Sequence, residues 1–213
     1  MMSERDFDFW WNVDGEWVEE PNRRRSGWSG MMRVRLDGRM FYVKRQLNHR
    51  CRTLSHPLGW PTASREWHYL NRLARIGVAA PTPVFHAVRN SPDGDEAVLV
   101  TEELIGFVDL AGWGALESPR RRSLAQAVGG MLGRLHRAHL QHSSLYDKHV
   151  MARGEGDGFT VALIDLEKMR PRLLARWGAA RRDLDQLRRR QALFDDDDWA
   201  ALLADHDAAF SRA

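Results

Sequence analysis

The chain has 213 residues and one cysteine, Cys51, which excludes an internal disulfide and fits a reducing cytosol. No apolar run approaches the roughly 18 residues that a membrane-spanning helix needs, so no transmembrane segment is expected. The opening residues, MMSERDFDFWW, place acids ahead of aromatics and lack the apolar stretch of a signal peptide, so the N-terminus reads as unprocessed and the chain as cytoplasmic. No internal repeat is seen. Net charge is also low, at +3, although arginines cluster at 23–25, 120–122 and 181–190. Such local patches favour anionic partners, but Asp183 and Asp185 make the last cluster read first as a solvated helix face. The nine tryptophans are scattered through predicted core positions without interleaving with a basic stripe, so nucleic acid is not an expected partner. With 43% hydrophobic and 29% charged residues, what remains is an ordinary globular chain, long enough for one domain or for two small lobes sharing a cleft.

The most informative stretch runs from Leu135 to Glu167. Leu124, Val128, Met131 or Leu132, and Leu135 keep helical spacing and predict a half-buried helix to about His139. A polar loop follows. Val150-Met151 and Phe159 to Leu163 then read as two strands of a hairpin around a longer turn, Gly154-Glu155-Gly156-Asp157-Gly158. That arrangement carries His149 to Asp165, a polar pair at the mouth of a hairpin where a metal ion and an anion would be held. His136, His139 and His142 fall three apart, but residues six apart diverge on a helix and no acid follows at ligand spacing. His136 and His139 therefore read as partly exposed helix residues, and His142 as a loop-holding side chain.

Earlier in the chain, Phe9 to Trp17 reads as a short hairpin or strand-turn unit around Asp14-Gly15. Ser26-Gly27-Trp28-Ser29-Gly30 reads as a loop, followed by strands on either side of the tight turn Asp37-Gly38. A polar, Pro-containing connection, His56 to Pro61, precedes a helix opened by Ser64 as N-cap, with Glu66 in its first turn and Gly77 as C-cap. Strands follow at about 79–88 and 96–103, and the remainder has helical periodicity, with Asp195 to Asp198 as an acidic cap on a last helix.

The order His142, Ser143, Ser144, four residues, His149, hairpin, Asp165 resembles the His-x-Asp, four residues, Asn, hairpin, Asp series of protein-kinase-like enzymes. It is most similar to the lipopolysaccharide kinase group, the heptose and Kdo kinases with the small InaA-type proteins, in which a His can replace the Asn. The resemblance covers about residues 26–187 and implies an α+β, protein-kinase-like two-lobe fold. Residues 1–104 would form a small antiparallel-sheet N-lobe with one helix, and 105–213 a shortened helical C-lobe. It implies ATP and Mg2+ as cofactors, and a nucleotide and a lipopolysaccharide-like sugar or anionic glycolipid as partners, with peripheral contact at the inner membrane face through the arginine patches.

The same resemblance carries over roles. Gly27 and Gly30 would cover the phosphates; Lys44, in Phe41-Tyr42-Val43-Lys44, would bind them; Glu66 would pair with Lys44. Glu102 and Leu104 would form the purine-facing hinge, although Tyr42 stands where a small residue packs on adenine. His149 and Asp165 would hold the metal, and Asp183 would brace the loop of His142. Ser144 occupies the place of the catalytic Asp, and a hydroxyl cannot be the general base that a carboxylate would be. Asp147 is the substitute carboxylate in that loop, with a bond to its own backbone as the competing reading. Only 48 residues follow Asp165, too few for the long activation segment of an enzyme acting on folded proteins. Two functions stay open: a sugar phosphotransferase, placed first, and a non-catalytic kinase-like regulator.

Overall fold

The computed structural model describes residues 5–24, 27–53, 55–172 and 176–212. Arg25 of the first arginine cluster and Ser26 of the glycine-containing stretch lie outside them. The chain divides into two compact units, Met1–Asn71 with Pro81–Glu103, and Arg72–Ala80 with Leu104–Ala213.

In the first unit, helix α1 (Phe7–Asn12) leads into strands β1 (Glu16–Arg24), β2 (Gly27–Leu36) and β3 (Arg39–Leu47). A separate ladder, β4 (Arg50–Thr53) with β5 (His56–Pro61), precedes helix α2 (Thr62–Arg75), and β6 (Pro83–Ser91) and β7 (Gly94–Glu102) close the unit. The main sheet is antiparallel, in the order β1-β2-β3-β7-β6. Strand side chains alternate between faces. One face carries Met32, Val34, Phe41, Val43, Val98 and Val100, packed on Trp10 of α1. The other directs Lys44 and Gln46 at α2.

Three local readings change. Phe9–Trp17 is no strand-turn unit, because Asp6 caps α1 by accepting from the Phe9 amide at 2.9 Å, and Phe7, Trp10 and Trp11 share a helical face. Their β-favouring aromatic rings hid that spacing. Gly27 opens β2 and Gly30 lies within it, so neither is on a loop. A Cβ at Gly27 would lie 2.4 Å from the Leu47 carbonyl oxygen, and at Gly30 2.7 Å from the Trp17 ring, so close packing explains both glycines. Helix α2 starts at Thr62, and Ser64 is inside it, bonded to His86 Nε2 at 2.9 Å. The cap comes from the sheet: Gln46 Oε1 accepts from the Ala63 amide at 2.9 Å. At the other end Gly77, at φ 67°, lets the amides of Gly77 and Val78 reach the carbonyls of Ala74 and Leu73.

In the second unit, strand β8 (Val108–Asp109) is followed by α3 (Ser118–Arg137), β9 (Leu140–Gln141), the hairpin β10 (Val150–Glu155) and β11 (Gly158–Leu163), β12 (Arg170–Pro171), α4 (Arg176–Arg190) and α5 (Asp196–Ser211). Helix α3 buries Leu124, Val128, Met131, Leu132 and Leu135. Its Gly129 and Gly133 allow α5 to approach; a Cβ there would lie 2.1 Å from the Leu202 carbonyl oxygen and 2.4 Å from that of His206. The β10–β11 ladder pairs Glu155 with Gly158, so the turn is a two-residue one, shorter than expected, with Gly156 at φ 54°. Asp195 caps α5 by accepting from the Asp198 amide. Only Trp10 among the described tryptophans is buried; Trp17 and Trp177 are exposed.

Candidate active site

Lys44 projects from β3 and Glu66 from the second turn of α2, and their charges meet at 2.6 Å with both side chains more than nine-tenths buried. Desolvating two charges costs several kcal/mol each, and a buried pair is weak evidence for stability.

In the second unit the loop between α3 and β10 is held by one carboxylate. Asp183, fully buried on α4, accepts from the amides of His142 (2.6 Å, Oδ2) and Ser143 (2.9 Å, Oδ1) and faces His136 Nε2 at 3.3 Å. The bracing is needed because the backbone here is unfavourable. His139, Ser143 and Asp165 all have positive φ (58°, 68° and 55°), a region costly for residues other than glycine. Arg170 Nε adds a bond to Ser143 Oγ at 2.9 Å.

His142 is fully buried, and its Nε2 donates to the Ile164 carbonyl at 3.0 Å. Burial pushes its pKa down, which keeps the ring neutral, and its sealed Nδ1 has no partner. The side chain thereby ties the loop to the residue preceding Asp165. His149 sits over Tyr146, ring centroids 3.9 Å apart, and its Nδ1 meets the Ser144 carbonyl at 2.7 Å. A carbonyl only accepts, so Nδ1 donates to it. Nε2 faces Asp165 Oδ2 at 3.3 Å. The two groups can share a proton as an ion pair or, with that proton displaced, offer a nitrogen and an oxygen to a cation, so His149 and Asp165 fit a cation site. Among the described residues no cluster of three or more His, Cys, Asp or Glu side chains completes it, so further ligands would be water or substrate oxygens.

Other candidates fare differently. Ser144 is buried, 4% exposed. Asp147 Oδ1 accepts from the Lys148 amide at 2.8 Å, the local backbone bond that competed with a catalytic role. The amide of Glu102 already donates to the Thr82 carbonyl at 2.9 Å and its carboxylate pairs with Arg39, which removes that amide from hinge recognition; the Leu104 carbonyl accepts from Phe107 at 3.2 Å. The arginine patches are partly neutralised internally, Arg121 pairing with Asp195 and Asp198 and Arg188 with Asp196, while Arg120 donates to the uncharged Gly156 carbonyl at 2.8 Å. His136 is not partly exposed but fully buried, its Nδ1 2.9 Å from His206 Nε2, and His206 in turn contacts Asp207 at 2.9 Å. Nothing in the local sequence reveals this second row of support behind Asp183, because His136 and His206 are 70 residues apart.

Residues 8–206 match the model of the "Lipopolysaccharide kinase (Kdo/WaaP) family". The chain is 35% identical over 205 residues to Protein InaA of Escherichia coli (strain K12), covering 93% of this chain and 94% of that protein. It is 32% identical over 166 residues to the lipopolysaccharide core heptose(I) kinase WaaP of Pseudomonas aeruginosa, covering 66% of this chain and 59% of the kinase. Among solved structures, one titled "WaaP in complex with acyl carrier protein" superposes with a TM-score of 0.73 at 27% identity, covering 95% of this chain and 82% of that one.

Proposed function

The chain belongs to the lipopolysaccharide kinase (Kdo/WaaP) family and has its protein-kinase-like two-lobe α+β fold, and from that premise we propose that it is an ATP-dependent phosphotransferase acting on a sugar hydroxyl of a lipopolysaccharide-like acceptor. The observation that carries the reading is the buried Lys44–Glu66 pair at 2.6 Å, a costly arrangement that fixes an ammonium where phosphate oxygens would need it. In this reading Lys44 binds phosphate and Glu66 orients it. Asp165 and His149 are the donors for Mg2+, with Asp165 the principal ligand because Mg2+ prefers oxygen. When bound, that ion neutralises phosphate charge. His142, through the Ile164 carbonyl, and Asp183, through two loop amides, keep Asp165 and the acceptor loop in register.

No carboxylate stands at position 144; Asp147 is the carboxylate of this loop, and accepting one backbone amide at Oδ1 leaves its other oxygen able to take a proton. The proposed chemistry runs chiefly on positioning and charge, which carry most of phosphoryl transfer, with Asp147 the substitute for a general base worth about 10^2 to 10^4. The serine at position 144, in place of a carboxylate, is also the observation that favours a second reading, a kinase-like protein that binds nucleotide without turning it over. Titrating ATP with and without Mg2+, then assaying phosphate transfer to a dephosphorylated lipopolysaccharide core, separates them. Binding with product supports the enzyme, binding without product the regulator, and no binding overturns both.

A further inference from the structure

Within the second unit a cavity of about 560 Å3 lies among α3, β11 and α5, lined on one side by Ala127, Gly130 and Arg134 and on the others by Phe159, Asp205 and Arg212. Its volume falls in the range of small-molecule sites. Arg134 is half-buried, its Nε is sealed from solvent, and that Nε has no hydrogen-bond partner. No ion pair joins Arg134 or Arg212 to Asp205 or to any other acid among the described residues, although all three line the space. Burial lowers the pKa of Arg134, and Arg137 and Arg212 add to it as like charges. An unpaired, partly desolvated guanidinium among other cations is costly, and an anion relieves it.

A second observation concerns Gly130. Gly129 and Gly133 are required by the approach of α5, but a Cβ at Gly130 would meet nothing nearer than Arg134 Nη1, at 3.8 Å. A glycine inside a helix costs about 1 kcal/mol against alanine. Packing does not call for it; what its absent side chain leaves is room beside the arginine.

We propose that this cavity binds a small phosphorylated polyol, with Arg134 and Arg212 on the phosphate, Asp205 accepting from hydroxyls, and Phe159 as the apolar wall. The site is separate from His149 and Asp165. The test is calorimetric titration of the full chain with glucose 6-phosphate and, in parallel, inorganic phosphate. Wild type should bind both, the sugar phosphate more tightly. Arg134→Met should weaken both by about 10- to 150-fold, the loss of one charged hydrogen bond. Gly130→Leu, which keeps the charge and fills the space, should abolish glucose 6-phosphate binding, and Asp205→Asn should weaken glucose 6-phosphate alone. ATP affinity should be unchanged in all three. No saturable binding by wild type, or binding by Arg134→Met and Gly130→Leu equal to wild type, overturns the site; equal affinity for the two probes with no effect of Asp205→Asn overturns the polyol assignment.

Discussion

Replacing Asp183 with Asn tests the support of the loop most sharply, because the side chain keeps its shape and loses one acceptor. In the folded chain Asp183 Oδ2 accepts from the His142 amide at 2.6 Å and Oδ1 from the Ser143 amide at 2.9 Å, with no exposure to water. Asn offers one oxygen and turns an NH2 group toward the other amide. One buried N–H is then orphaned, at about 1–3 kcal/mol, and the surviving bond drops from charge-assisted to neutral, about 1 kcal/mol more. The total, about 2–4 kcal/mol, lowers the protection of these two amides against hydrogen exchange by about 30- to 1,000-fold. The loss should be local, with the amides of β2 and β3 in the other unit unaffected. Residue-resolved exchange of Asp183→Asn against wild type reads it directly, and unchanged protection of His142 and Ser143 would refute the bracing role.

Lys44→Met should weaken ATP binding and lower stability, since removing one partner of a buried pair costs about 3–5 kcal/mol; adding Glu66→Leu should restore the stability measured by urea but not the binding. Ser144→Asp should raise the phosphotransfer rate by up to about 10^2- to 10^4-fold, and an unchanged rate in an active protein would show that the loop is not arranged for a base at this position. Burial depresses the pKa of His86, His142 and His206 in the folded state. The unfolded chain therefore takes up protons first, so stability is full above the ordinary histidine pKa of 6.5 and falls as pH drops below it, well before the exposed carboxylates of Glu155 and Asp195 titrate. Urea midpoints measured from pH 8 to 5 should show this limb, and a flat profile to pH 5 would contradict it.

What the sequence made legible was whatever rests on local pattern. The spacing of Leu124, Val128 and Leu135 marks α3, the paired apolar runs mark the β10–β11 hairpin, and the hairpin's own geometry carries Asp165 to His149, found at 3.3 Å. The Lys44–Glu66 pairing was legible through the kinase resemblance, with which the strand, connection and helix between them are compatible. Features set by distant partners were not legible. Gly27 and Gly30 look like a loop until Leu47 and Trp17 are seen pressing against them. Ser64 looks like a cap because the real one, Gln46, comes from the neighbouring sheet. His136 looks exposed until α5 brings His206 against it. Asp147 reads equally as base or turn residue, and the bond from the Lys148 amide to its Oδ1 is compatible with both.

The central claim, that His149 and Asp165 hold a metal-bound nucleotide, is tested most directly by calorimetric titration of ATP into wild type and Asp165→Asn with and without Mg2+. The account predicts Mg2+-dependent binding by wild type and its loss in Asp165→Asn, while residual metal-independent binding is the same in both. Equal Mg2+-dependent affinity in the two proteins would contradict it.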